Sequence, residues 1–166
     1  MPEKALFQLA ERVGEALLAQ GLMMATAESC TGGWVAQAVT AVAGSSQWFE
    51  RGFVTYTYIS KREMLGVTQE TLGAHGAVSE QTVREMVTGA LANSHAQIAV
   101  AVSGTAGPSG GTPDKPVGTV CFAWAVKNGE PKSATHHFSG DRETIRLASV
   151  RVALEGILGL LPAVVE

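Results

Sequence analysis

Apolar positions recur at three- and four-residue spacing from Glu3 to Gln20, at Leu6, Leu9, Ala10, Val13, Ala16 and Leu17, and Gly21 follows as a stop. That period predicts an amphipathic helix. Leu22 to Ala27 is an apolar run of strand length. A second helical stripe passes through Trp34, Val35, Ala38, Val39 and Val42 before Ala43-Gly44-Ser45-Ser46 breaks it. Phe53 to Ile59 is β-rich, and period-two alternation puts Val54, Tyr56 and Tyr58 on one face of the predicted strand. Short helical pieces lead through Met64 and Leu65 to Leu72, and Ser79 caps a helix carrying Val83, Met86, Val87, Ala90 and Leu91. Ile98 to Val102 and Val117 to Val126 read as strands separated by a glycine-rich loop, Ser103 to Pro116. Asn128-Gly129 is a hairpin dipeptide with its return strand near Ser133 to Phe138. Asp141 caps a last helix of about twenty residues, which Pro162 ends. Early alternation of helices and strands with a closing hairpin predicts one α/β domain over residues 1–166, a three-layer α/β/α fold around a mixed sheet.

Hydrophobic residues make up 46% of the 166 and charged residues only 16%, a core-forming balance that excludes disorder. A net charge of −3 gives no bulk attraction to nucleic acid or to an anionic membrane. No apolar run reaches the ~18–20 residues of a membrane span. The start, Met1-Pro2-Glu3-Lys4, lacks the basic-then-apolar pattern of a signal peptide. The two cysteines, Cys30 and Cys121, form neither a disulfide framework nor a Cys-x-x-Cys pair. The expectation is a reduced, cytoplasmic, soluble protein; its apolar helices and low charge leave self-association as a homo-oligomer open. Glycine is the outlier, 19 of 166 residues where ~7% is ordinary.

Six of those glycines sit in two places with chemical potential. Glu28-Ser29-Cys30-Thr31-Gly32-Gly33 lies between a buried strand and a helix, where free helix N–H groups can hold an oxyanion beside a serine hydroxyl. The plainer alternative is that Ser29 or Thr31 is only an N-cap. Cys30 is a rival nucleophile, since a helix N-terminus lowers a thiol's pKa, or else a small buried residue. The second place, Ser103 to Gly111, can turn several N–H groups toward an anion or ribose, or can serve as a mobile connection. Loops of its length are uncommon without a function. Arg142 and Arg146, one turn apart at the start of the last helix, oppose the helix dipole and invite an anion or a neighbouring acid such as Glu143. His75, His95, His136 and His137 show no metal-ligand spacing, so neither a metal nor a cofactor is expected.

Ala27-Glu28-Ser29-Cys30-Thr31-Gly32-Gly33 resembles the signature of the CinA C-terminal domain family. So do Phe53-Val54-Thr55-Tyr56 leading to Lys61, Leu65-Gly66-Val67, Gly76-Ala77-Val78-Ser79 and Ser103-Gly104-Thr105-Ala106-Gly107-Pro108. Gly110-Gly111, Lys115-Pro116-Val117-Gly118-Thr119-Val120 and Phe138-Ser139-Gly140-Asp141-Arg142 continue the resemblance in the family's order over nearly the whole chain. The resemblance implies hydrolysis of a small-molecule substrate, nicotinamide mononucleotide, to nicotinic acid mononucleotide and ammonia by a metal-free serine mechanism. It places the catalytic roles on Ser29, Tyr56 and Lys61. On that chemistry Cys30, Thr31, Gly32 and Gly33 are expected to supply oxyanion N–H groups, and Tyr58, Gly104, Thr105, Ala106, Gly107 and Arg142 to meet the substrate.

Read as residues alone, Lys61 is a solvated lysine beside Arg62, and Tyr56 is equally a core aromatic on the strand face. As a base, Lys61 must be neutral, which requires its pKa to fall by about 2–3 units from ~10.4. One position departs from the family: Tyr56-Thr57-Tyr58-Ile59-Ser60-Lys61 stands where the family reads Tyr-Ser-Asn-x-x-Lys. A phenol at Tyr58 in place of a compact amide leaves an alternative expectation, a nucleotide-binding homologue with weakened catalysis.

Overall fold

The computed structural model describes residues 2–165, with side chains to residue 161. Helix α1 (Pro2–Gln20) leads to β1 (Met24–Glu28), α2 (Trp34–Thr40), a 3₁₀ turn at Ser45–Gln47 and β2 (Phe49–Val54). Three helices follow, α3 (Tyr58–Leu65), α4 (Gln69–His75) and α5 (Glu80–Ala92), then β3 (Ile98–Gly104), β4 (Thr119–Val126), β5 (Lys132–His137) and α6 (Arg142–Val165). The sheet order is β2-β1-β3-β4-β5; β1 runs parallel to β2 and β3, and the β3-β4 and β4-β5 pairs are antiparallel. The three-layer mixed fold is therefore as the alternation of elements predicts.

Strict alternation along β3 builds two different cores. Ile98, Val100 and Val102 join Met24, Val120 and Phe122 beneath α1, α2 and α6. Ala99 and Ala101 join Ala25, Ala27, Cys121, Ala123 and Ala125 beneath α5, α3 and α4. Each fully buried Leu or Ile of the first core, such as Leu154 and Ile157, contributes roughly 1.5–3 kcal/mol. The alanines of the second core let its helices lie close to the sheet. Close packing extends to the helices themselves: Gly89 of α5 sits under the end of α3, where an added Cβ would stand 1.8 Å from the Leu65 carbonyl oxygen.

Two boundaries differ from expectation. The predicted strand at Phe53 to Ile59 is instead the end of β2, a connection at residues 55–57, and the first turn of α3. Tyr56 and Tyr58 thus share no strand face. The cause is Thr57, whose hydroxyl accepts from the Ser60 N–H at 3.1 Å while Ser60 Oγ accepts from the Thr57 N–H, a reciprocal cap that starts a helix at Tyr58. Helix α6 also continues through Pro162 to Val165. A proline forgoes one donor, and so near a helix's end the remaining turn can still form. Asp141 does cap this helix, its carboxylate accepting from the Thr144 N–H at 2.9 Å.

The C-terminal ends of β1, β2 and β3 open on one edge of the sheet. Helix α2, following β1, covers one face, and α3, following β2, covers the other. A crevice beyond the carboxyl ends of parallel strands, at such a divergence, is where open α/β sheets bind ligands. Ser29, the first residue after β1, stands there.

Candidate active site

The turn after β1 is held from three directions. The Ser29 N–H extends the sheet by donating to the Val102 carbonyl at 2.9 Å. Gly32 N–H closes back on the Ser29 carbonyl at 2.9 Å, and Gly33 takes φ 101°, a conformation suited to glycine. Glu28, at 1% exposure, supplies the cap that Ser29 or Thr31 was expected to provide. Its carboxylate accepts from the Thr31 hydroxyl at 2.6 Å, the Val35 N–H at 2.9 Å and the Ala36 N–H at 3.0 Å. The first N–H groups of α2 are thereby occupied, so an oxyanion cannot use them. Trp34 N–H is spent on the Thr31 carbonyl. Among the described residues, the donors left open in the turn are those of Cys30, Thr31 and Gly33.

Side chains alternate along β1, and Ser29 follows Ala25 and Ala27 onto the face covered by α3. There Lys61, only 1% exposed, meets it: Nζ donates to Ser29 Oγ at 2.9 Å and to the Thr55 carbonyl at 2.7 Å. Thr55 is in turn anchored by its N–H on the Glu28 carbonyl at 2.8 Å. The solvated-lysine reading therefore fails. Burial pushes the Lys61 ammonium down from 10.5 to about 8, which makes a neutral amine accessible near physiological pH. Burial, with the Glu28 carboxylate second, pushes the Cys30 thiol up to about 12, so Cys30 has no thiolate to offer.

The remaining candidates gather at the mouth. Arg142 donates from Nη2 to the Tyr56 hydroxyl oxygen at 2.9 Å and from Nη1 to the Gly107 carbonyl at 2.9 Å. It joins the connection after β2 to the loop after β3. Gly104 ends β3; Thr105 N–H donates to Thr119 O at 3.0 Å, Gly118 N–H to Thr105 O at 2.8 Å, and Ala106 is buried. This base of the loop is fixed against β4, while residues 108–114 are exposed. Tyr56 and Tyr58 are 57% and 51% exposed, so neither is a core aromatic. Tyr58, the first residue of α3, points its hydroxyl toward Gly76, 3.7 Å from where a side chain there would begin.

Arg146 does not join Arg142 at an anion site. Its Nε and Nη2 donate to the carbonyls of Cys30 and Thr31, each at 3.0 Å, and its guanidinium lies 5.5 Å from the Trp34 ring centre. Glu28 and Arg146 are the residues whose part in the site sequence patterns missed. For Glu28 a signal existed: a carboxylate ending a largely apolar strand must find partners indoors. Among the described residues no cluster of three or more His, Cys, Asp or Glu could hold a metal ion.

The sequence model of the CinA C-terminal domain matches residues 6–161. The chain is 54% identical to the nicotinamide-nucleotide amidohydrolase PncC of Escherichia coli K12, over 93% of this chain and 94% of that one. It is 51% identical to the protein of the same name from Pseudomonas putida, over 92% and 94%. Among solved structures it is similar to the competence/damage inducible protein CihA of Agrobacterium tumefaciens, with a TM-score of 0.91 and 50% identity over 93% and 94% of the two chains.

Proposed function

The chain belongs to the CinA C-terminal domain family, and on that premise we propose that it hydrolyses the carboxamide of nicotinamide mononucleotide with Ser29 as nucleophile. The amidohydrolase activity follows from relatives more than 50% identical over nearly their full length. The observation that carries the mechanism is the buried 2.9 Å contact between Lys61 Nζ and Ser29 Oγ.

With Lys61 neutral, the contact reverses and the serine O–H donates to the amine. Ser29 Oγ attacks the carboxamide carbon and its proton moves to Nζ. The oxyanion meets the open N–H groups of the turn. Lys61 returns the proton to the amide nitrogen, the C–N bond breaks and ammonia leaves an ester on Ser29. Water, deprotonated by the same amine, then attacks the ester carbon; the bond to Ser29 Oγ breaks, Lys61 returns the proton to that oxygen, and nicotinic acid mononucleotide leaves.

The fixed pyridinium charge of the substrate further disfavours a charged lysine. Tyr56 and Tyr58 offer exposed ring faces to that cation. Tyr56, whose oxygen accepts from Arg142, keeps its own O–H for proton relay at the mouth. Among the described residues Arg142 donates to neutral acceptors, and a phosphate beside residues 104–107 would add an anionic partner. Tyr58 stands at a helix start and leaves the Ser29–Lys61 contact intact, which favours catalysis over the weakened homologue. Two free buried cysteines suit a cytoplasmic enzyme, and no helix among the described residues is long and apolar enough to cross a membrane.

Incubation with nicotinamide mononucleotide between about pH 6 and 9 should release equal amounts of ammonia and nicotinic acid mononucleotide. Ser29→Ala should bind the substrate by calorimetry without turning it over, and Cys30→Ala should remain active. Absence of product from the wild-type chain, or loss of activity in Cys30→Ala with retention in Ser29→Ala, would sink this assignment.

A further inference from the structure

Arg146 donates to two backbone carbonyls of the nucleophile turn and, among the described residues, forms no ion pair; the salt bridge found there is Arg51–Glu50. A formal charge spent on uncharged acceptors next to a reacting serine calls for a reason. Peptide planarity supplies one. In a trans peptide the C=O and the next N–H point in opposite directions. The Cys30 carbonyl is held toward α6 by Arg146 Nε, so the Thr31 N–H is held away from α6. The same rule applied to the Thr31 carbonyl turns the Gly32 N–H away from α6, and that group closes on the Ser29 carbonyl at 2.9 Å. Thr31 N–H has no hydrogen-bond partner among the described residues, although Thr31 is fully buried. A buried N–H without a partner is uncommon, and this one belongs to the turn that carries Ser29, on the side turned away from α6. The flat guanidinium is itself oriented by the Trp34 ring, and its charge polarises both peptides.

We propose that Arg146 is a positioning residue for acyl transfer: it pins the Cys30 and Thr31 carbonyls and thereby holds the turn in the one conformation that presents its open N–H groups to the oxyanion. Glu28 holds the far end of the same turn by its N–H groups, so the turn is fixed between a buried carboxylate and a guanidinium. The arrangement needs a fork, because one ammonium cannot reach both carbonyls in plane. The proposal rests on Ser29 being the nucleophile, not on which amide it attacks.

The test uses two readouts on the whole protein. A fluorophosphonate labels Ser29 without any nucleotide: an O–P bond forms, the P–F bond breaks, fluoride leaves and the serine proton passes to Lys61. Arg146→Ala should slow this labelling, and kcat with nicotinamide mononucleotide, by about 10–100-fold, given that one lost oxyanion donor costs 10²–10³. KM should stay within about threefold. The rise of activity with pH should stay at the wild-type midpoint, Arg146→Lys should recover little, and added guanidinium ion should restore part of the Arg146→Ala rate. Wild-type labelling rates in Arg146→Ala, or a loss confined to KM, would overturn the proposal. Should Arg146→Ala not fold, Arg146→Lys is read by the same criteria. A chain labelled at Ser29 yet inert toward the nucleotide would overturn the substrate while the labelling comparison still decides Arg146. A wild-type chain unlabelled at Ser29 would overturn both.

Discussion

The Ser29 turn and the loop at residues 105–118 share a composition and an address but not a physical state. Both are glycine-rich, and both leave the same edge of the sheet. In the turn, the peptides are fixed by groups distant from them in the chain or along the helix: Glu28 on the N–H side, Arg146 on the carbonyl side. In the loop, the base is fixed through Thr105, Gly118 and the Arg142 contact at Gly107, a Thr112–Lys115 turn is tied to α4 by Lys115 Nζ on the His75 carbonyl, and residues 108–114 between these anchors face solvent. Glycine content thus marks where backbone can meet a ligand. Charged neighbours decide whether that backbone is rigid enough for chemistry or free enough for binding.

The contrast breaks first at the reacting pair. Ser29→Ala or Lys61→Met should lower kcat by at least ~10³-fold with binding retained, because such pairs act as a unit; comparable activity in either would assign the chemistry elsewhere. Next comes Glu28→Gln. Three donors converge on the carboxylate, and an amide must turn its own NH₂ toward one of them, a cost of about 2–3 kcal/mol. For a domain of this size that lowers Tm by about 5–10 °C, which calorimetry would read. Arg142→Ala should raise KM about tenfold and spare the Ser29 labelling rate, the signature of a binding element rather than a reacting one. Equal losses in kcat and labelling would merge the two regions into one.

A pH profile sharpens the comparison further. Activity needs neutral Lys61, so kcat/KM should rise with pH through about 8. Stability has its own sign. Between about 8 and 10.5 the folded chain binds fewer protons at Lys61 than the unfolded chain, so stability rises with pH across that window, and Lys61→Met loses the rise. The smallest effect belongs to the loop tip, where Asp114→Ala should change stability by no more than ~0.5 kcal/mol.

Much of this was legible in residue order. The helical period of α1 and α5, the alternation of β3 and the Asn128-Gly129 turn are local signals, and local signals survive into the fold. Ser29 stood out because strand, polar turn and paired glycines coincide. Lys61 did not stand out by pattern: its burial depends on α3 lying against the sheet, a contact between residues 32 apart. The end of β2 was misplaced because Tyr56 and Tyr58 favour strands while the Thr57–Ser60 cap favours a helix, and the cap prevailed. Arg146 looked like a twin of Arg142, since spacing cannot tell which carbonyls a guanidinium will find.

The absent side chain at Gly89 reaches further than packing. Because α5 packs on the Leu65 carbonyl at the end of the lysine's own helix, the seat of α3, and with it the burial of Nζ, depends on a residue without a side chain. A methyl group there would shift α3 and rehydrate Lys61, moving the working pH upward with no atom of the active site replaced. The pH at which the lysine works is then set in part from a helix that carries none of the reacting groups.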